Sequence, residues 1–330
     1  MLRKWSSRLF LVMVFAFMLI VSACSNGEQE TGREAKKAGN NKNISIATGG
    51  TGGTYYPLGG SMANIITDHT GIEANAQSSG ASAENLTAIK NGDVDIAFTQ
   101  TDIASYAVSG KEMFKGAPIE NFQGIGTLYP ETIQIVTTKD SGIKSVSDLK
   151  GKTVSVGAPG SGTAPNAQQI LELYGLTFDD IKKQDLSFDE STDGIQSGSI
   201  DAAFITAGTP TGAVEALSAQ KEVKIIPIEK EKVQALIKKY PYYSEDMVPK
   251  GTYKIAEDVP TVAVKAMLVV SNALDEESVY KITKAIFDNT DKITHAKGKL
   301  IKAETALEGL GDLPLHPGAE KYFKEKGVAK

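Results

Sequence analysis

Two short stretches of this chain hold the residue types that let a backbone close on a small ligand. They are TGGTGGTYYP (48 to 57) and PGSGTAPN (159 to 166), both rich in Gly, Ser and Thr. Glycines allow close backbone approach. The free N–H groups at a helix start favour an anion such as a carboxylate. Four further polar stretches have a similar make-up: QSSGAS (77 to 82), TQTD (99 to 102), YPET (129 to 132) and TAGTPT (206 to 211), all read as loops. From them we select Thr51, Gly52, Gly53, Ser79, Ser82, Gln100, Ser161, Gly162, Thr163, Asn166 and Gly208 as candidate ligand contacts. Thr51, Gly52, Ser161, Gly162 and Thr163 are expected to cradle a carboxylate. Tyr55, Tyr56 and Tyr129 offer a hydroxyl or a stacking face, or else belong to the core. Glu131 either meets a ligand amine or is a solvated loop carboxylate, and the KYPYY run (239 to 243) reads as a turn on the second half.

Catalytic patterns fail on inspection. Gly157 to Gly162 has the glycine spacing of a phosphate loop, but Thr163 stands where the lysine is required. His69, His295 and His316 are far apart and lack metal-ligand spacing. No nucleophile elbow surrounds Ser161. Neither an enzyme nor a cofactor is expected. The only arginines are Arg3, Arg8 and Arg33, so a bidentate arginine clamp is excluded from the folded body. A bound carboxylate must be held by main-chain N–H, hydroxyls, amides or a lysine.

The elements that position these turns follow from an internal repeat. NISIATGGTGGTYYP (43 to 57) is answered by KTVSVGAPGSGTAPN (152 to 166), and NGDVDIAFTQTD (91 to 102) by SGSIDAAFITAG (197 to 208). Each first segment is an alternating strand, a Gly-rich turn and a helical pattern. Pro57 and Pro165 suit the opening helical position, where a missing N–H is tolerated. Leu58, Met62, Ile65 and Ile66 then share one helix face, as do Ile170, Leu171 and Tyr174. Asp95 and Asp201 occupy equivalent positions and are expected to organise turns or strand ends. Two similar α/β lobes follow, each with a mostly parallel sheet flanked by helices. TVAVKAMLVVS (261 to 271) reads as a strand crossing back to the first lobe, with Val279, Ile282, Ile286 and Ile293 marking an amphipathic helix behind it. An earlier crossing falls near IQIVTTKD (133 to 140), and two crossings make a hinge with the ligand cleft between lobes.

The N-terminus is organised as a secretory signal. Arg3, Lys4 and Arg8 precede an apolar run from Leu9 to Val21, closed by Ser22, Ala23 and Cys24. That run is shorter than the roughly 20 residues of a membrane span; a short uncleaved anchor is the alternative. Cys24 is the only cysteine, and Val21-Ser22-Ala23-Cys24 resembles a bacterial lipobox, so Cys24 is the expected lipidation site. The polar segment 24–42 is expected to be a disordered tether reaching roughly 24 Å. Beyond residue 23 the chain has 32 basic against 40 acidic residues and no long basic run, which excludes nucleic acid as a partner.

The motifs IATGGTGGTYYPLGG, SSGASAENL, GDVDIAFTQTD, SVGAPGSGT, AAFITAGTPT and PLHPGAEKYF closely resemble the TAXI family of TRAP-transporter solute-binding subunits, over about residues 43 to 328. The resemblance implies a two-lobed, periplasmic-binding-protein-like fold of type II, hinged by two crossing strands. Residues 43–136 and 266–330 would form lobe 1, and residues 137–265 lobe 2. It also implies an extracytoplasmic, lipid-anchored monomer with a glutamate- or glutamine-like carboxylate as solute, delivered to a TRAP membrane permease. The family's binding positions fall on the Gly-rich turns, QSSGAS, Gln100, the Tyr129 region and PGSGT. A lipid-anchored sensor presenting its solute to a signalling receptor is the alternative.

Overall fold

The two copies of the repeat fold into matching β-α-β-α-β units, and two long strands join them. The computed structural model describes residues 43–329. The signal peptide, Cys24 and the tether read from the sequence lie outside the described residues. The first unit comprises β1 (Asn43–Ala47), α1 (Tyr55–Thr70), β2 (Glu73–Gln77), α2 (Ser82–Asn91) and β3 (Ile96–Gln100), followed by α3 (Thr101–Ser109). The second comprises β5 (Thr153–Ser155), α4 (Thr163–Leu173), β6 (Lys182–Gln184), α5 (Phe188–Ser197) and β7 (Ala202–Ala207), followed by α6 (Gly212–Gln220). Between the two units runs β4 (Phe122–Thr138). After them come β8 (Val223–Ile226), α7 (Lys230–Lys239), β9 (Ser244–Val248), β10 (Val259–Ser271), α8 (Glu276–Asp288) and α9 (Pro317–Glu325).

The strand order is β2-β1-β3-β10-β4-β7-β5-β6, with β8 added on β4 and β9 on β10. Strands β1, β2 and β3 pair in parallel, as do β5, β6 and β7; every pairing of β4 or β10 with another strand is antiparallel. The parallel character predicted for each lobe is therefore limited to three strands. Each lobe is completed by two strands that come from the connection and run in opposite senses.

The shared strands also explain how one sheet supports separate cores. Side chains of a strand alternate between faces. Leu268 and Val270 of β10 join Ile44, Leu58, Phe98 and Phe323 on one face, while Met267 and Val269 join Leu86, Ile103 and Phe122 on the other. Further back on β10, Val262 and Val264 pack with Ile135, Val154, Ile170 and Phe204 of the second unit. On β4 the handover falls between Tyr129, in the first core, and Ile133, in the second. YPET (129–132) is thus the middle of a central strand and not a loop.

The repeat-equivalent aspartates tie adjacent strands together. Ser45 donates its N–H and its hydroxyl to Asp95 Oδ2, each at 2.9 Å, and the Thr153 N–H donates to Asp201 Oδ2 at 2.7 Å. Helices α1 and α4 begin two residues before Pro57 and Pro165, so each proline is the third helical residue and not the first. The substitution is tolerated because the first-turn N–H groups have no partner inside the helix. Helix α8 opens on Asp275, which accepts the Ser278 N–H at 2.9 Å, and stops at Asp288. Ile293 is buried, but in the turn beyond that helix.

Candidate ligand site

The Gly-rich turns, one from each unit, face each other across a small cavity of about 60 Å³. One water needs roughly 10–15 Å³, so the space suits a small solute. The first unit lines it with Gly49, Gly50, Gly53, Thr54 and Tyr55 behind β1, Ser79 to Ser82 before α2, and Gln100 at the end of β3. The second unit contributes Ala158, Ser161 to Thr163, Ser187, Phe188, Thr206 and Ala207, and Glu131 enters from β4. No lysine or arginine lines it among the described residues.

Two features make this cavity receptive to an anion. Helices α1 and α4 point their N-terminal turns at it, and among the described residues neither carries a side-chain cap. Their first N–H groups carry partial positive charge. Around them, Ser161 Oγ and Thr206 Oγ1 are buried without a hydrogen-bond partner among the described residues. A buried polar group left unpaired costs about 1–3 kcal/mol, which a bound ligand recovers by hydrogen bonding to it.

The opposite wall is acceptor-rich. Glu131 is only 2 % exposed, and its Oε2 accepts the Tyr55 hydroxyl at 2.7 Å. Burial pushes the Glu131 carboxyl well above the usual carboxylate range, and burial together with Glu131 does the same to the Tyr55 phenol. Gln100 is fixed by a chain of amides. Its Nε2 donates to Asn166 Oδ1 at 3.1 Å, and Asn166 Nδ2 donates to Asp102 Oδ2 and to the Tyr243 hydroxyl, both at 2.9 Å. Gln100 Oε1 is left as a buried acceptor with no partner among the described residues. It lies so close to Gly162 that a Cβ there would sit 1.4 Å from it, so any side chain at position 162 would displace the Gln100 amide.

The amide chain joins the two units. Tyr243 donates on to Gln169 Oε1 at 2.6 Å, Gln169 Nε2 donates to the Tyr106 hydroxyl at 3.0 Å, and the Ser105 and Tyr242 hydroxyls meet at 2.6 Å. The KYPYY run is therefore not merely a turn on the second half; it reaches α3 of the first. Asp102 lies within this network, and burial raises its carboxyl to about 6.

The units are also clasped by their backbones in a reciprocal way. Gly160 O accepts the N–H groups of Ala83 and Glu84 at the start of α2, at 2.9 and 3.1 Å, and Gly52 O accepts the Ala213 N–H at the start of α6, at 3.0 Å. Gly52 and Gly160 each lie three residues before the first residue of their own helix, and Ala83 and Ala213 are each the second residue of theirs. The same carbonyl of each Gly-rich turn thus caps a helix of the other unit.

Of the candidate contacts, Gly53, Tyr55, Ser79, Ser82, Gln100, Glu131, Ser161, Gly162 and Thr163 lie along the cavity. The others do not. Thr51 is exposed and bonds Asp189 Oδ2 at 3.1 Å, with Gly52 against the same side chain. The predicted five-residue cradle is thereby reduced to its three members from the second unit, because the tip of the first turn is turned toward α5. Tyr56 points outward at 39 % exposure, and Tyr129 is buried in the first core. Asn166 sits behind Gln100, and Gly208 lies beneath the aliphatic stem of Lys297. Glu131 is not a solvated loop carboxylate, because the strand it belongs to is central. Sequence reasoning missed Thr206 and Phe188. Thr206 is the first residue of TAGTPT (206–211). Ser187 and Phe188 open α5 as Ala81 and Ser82 open α2, so the repeat could have located them.

No helix among the described residues is long and apolar enough to cross a membrane, and no group of His, Cys, Asp and Glu among them is placed to hold a metal. The double-unit sheet with two shared strands and an interlobe cavity is the type II periplasmic-binding-protein fold. The chain belongs to the NMT1-like family, whose sequence profile matches residues 46–327. Among solved structures it is similar to a protein from Bordetella bronchiseptica RB50, at 20% identity and a TM-score of 0.52 over 87% of this chain and 81% of that one. It is also similar to PhnD1 from Prochlorococcus marinus (MIT 9301) in complex with methylphosphonate, at 13% identity and a TM-score of 0.52 over 79% of this chain and 88% of that one. A looser likeness, with a TM-score of 0.43 and 14% identity over 86% and 82% of the two chains, is to the periplasmic aliphatic sulphonate binding protein SsuA from Escherichia coli.

Proposed function

We propose that this chain is an extracytoplasmic receptor that captures a small carboxylate, of the glutamate or glutamine kind, in the interlobe cavity and hands it to a membrane permease. One observation carries the reading. Two helix N-termini without side-chain caps, one from each unit, converge on a cavity beside the buried, unpartnered hydroxyls of Ser161 and Thr206. This arrangement replaces the missing arginine clamp with fixed dipoles. It suits binding, and among the described residues of the cavity no nucleophile is paired with a base, so a receptor and not an enzyme is the reading it supports. The two lobes open and close about the shared strands as hinge proteins do, with β4 passing from the first core to the second between Tyr129 and Ile133. The TAXI-like motifs support a TRAP-type permease as recipient, and the lipobox supports a Cys24 anchor holding a monomer at the membrane.

A thermal-shift screen of the protein against amino acids, 2-oxo acids and dicarboxylates tests the proposal. A ligand at 100 times its dissociation constant adds about 2.7 kcal/mol of stability, readily seen as a raised Tm. No shift with any small carboxylate would overturn it.

A further inference from the structure

The two units start their equivalent second helices in unlike ways. Helix α5 is capped from within: Ser187 is extended, at φ −59° and ψ 165°, and its hydroxyl accepts the Glu190 N–H at 3.3 Å. Helix α2 has no side-chain cap among the described residues. The acceptor for its first N–H groups is Gly160 O of the other unit, which takes those of Ala83 and Glu84.

The residue that opens α2 is strained. Ala81 stands at φ 75° and ψ −141°, a region that glycine enters freely and a Cβ disfavours. Both ends of the residue are tied. Its N–H donates to Ser79 Oγ at 3.0 Å, and its carbonyl accepts the Asn85 N–H at 2.8 Å. Asn85 is fixed in turn, its Nδ2 donating to Thr48 O at 2.6 Å and to Phe98 O at 2.8 Å. On the preceding side, Gly80 lies so near the Pro159 carbonyl of the second unit that a Cβ there would collide with it. Ala81 is thus flanked by two contacts that exist only while the units meet, Pro159 before it and Gly160 after it.

We propose that Ala81 is a positioning residue that sets the balance between open and closed lobes. Its strained conformation belongs to the clasped state, and it relaxes to ordinary extended backbone when Pro159 and Gly160 withdraw. Strain confined to one state lowers the population of that state. Closure is thereby kept weak on its own and depends on what the solute adds, so cargo can be let go again. The proposal rests on the two-lobed receptor reading above but on no particular solute.

Hydrogen-exchange mass spectrometry on the solute-free protein, resolved to the starts of α2 and α6, tests it with Ala81→Gly. Glycine lacks the Cβ penalty, so closure should be favoured and the Ala83 and Glu84 amides should exchange at least about threefold more slowly. The Ala213 amide, held by Gly52 O in the reciprocal clasp, should slow by a similar factor because the lobes close as one. Ala213 belongs to the other unit, and a purely local role for Ala81 would not reach it. Glu112→Gly is the control. Glu112 also has a positive φ, 49°, but is exposed and takes part in neither clasp. In that variant the Ala213 amide should exchange within about twofold of wild type. No slowing in Ala81→Gly, slowing at Ala83 and Glu84 alone, or equal slowing at Ala213 in both variants would each overturn the proposal. None of these results bears on solute capture, which the thermal-shift screen tests separately.

Discussion

The two Gly-rich turns share a backbone and differ in what they do with it. Each follows a parallel strand, offers one carbonyl to a helix of the other unit, and leads into a helix with proline at its third position. Their side chains have diverged. The second turn keeps Ser161 and Thr163 buried at the cavity, whereas Thr51 of the first is exposed and bonded to Asp189. The first instead contributes Tyr55, which carries the acceptor wall through Glu131. A duplicated device has thus acquired two unlike walls, one of hydroxyls and helix-start N–H groups and one built on Glu131. The lesson is that backbone symmetry closes the cleft and side-chain asymmetry orients what is inside it.

The sharpest way to break the comparison is Gly162→Ala. Its methyl would sit 1.4 Å from Gln100 Oε1, so Gln100 must give up its place, and its bond to Asn166 with it, for the lobes to meet as they do now. Overpacking of this kind costs about 1–3 kcal/mol or more, and ligand affinity measured by calorimetry should fall by roughly 100-fold. A control behind the first turn, Gly60→Ala in α1, meets nothing within 4 Å and should leave affinity nearly unchanged.

Next in size is the donor pole. Ser161→Ala with Thr163→Ala should weaken binding by roughly 10–100-fold, at about 1–1.5 kcal/mol for each hydrogen bond lost. Thr51→Ala should change it by less than about threefold.

The reciprocal clasp predicts a smaller, symmetric effect. Ala83→Pro and Ala213→Pro each remove one clasping N–H in a first helical turn, where proline is tolerated. Each should speed ligand release by about threefold to tenfold in stopped-flow measurements, with circular dichroism unchanged. An effect confined to one of the two would show that the clasp is not shared evenly between the turns.

The last effect is on stability and not on ligand binding. Asp102 is raised to about 6 by burial, so between roughly pH 4 and 6 the folded state keeps a proton that the unfolded chain has lost. Its contribution to stability therefore falls as pH rises through that window and is flat above it. Asp102→Asn removes the charge and keeps an acceptor for Asn166. Denaturation should find it more stable than wild type by about 1–3 kcal/mol at pH 7, with the gain disappearing below about pH 4.

The order of elements was legible because the repeat is local. Alternating residues, Gly-rich turns and amphipathic helices each declare themselves within some fifteen positions, and Asp95 and Asp201 mark equivalent strand ends. Strand β4 was not fully legible. Gly124, Gly126 and Pro130 break its pattern, and only the packing explains them. A Cβ at Gly126 would press on Phe287 and Ala306, and Pro130 lies where the β4–β10 register shifts, so its missing N–H is tolerated. Reading YPET as a loop hid the burial of Glu131. The orientation of Thr51 was also out of reach, since it depends on Asp189, 138 residues away in the chain.

The central claim is that the second turn holds the solute while the tip of the first only closes over it. Calorimetric titration of wild type, Ser161→Ala/Thr163→Ala and Thr51→Ala with the solute that gives the largest thermal shift tests this most directly. The account predicts one binding site per chain, weakened roughly 10–100-fold in the double variant and within about threefold of wild type in Thr51→Ala. Equal affinity for wild type and the double variant, or a larger loss in Thr51→Ala, would contradict it.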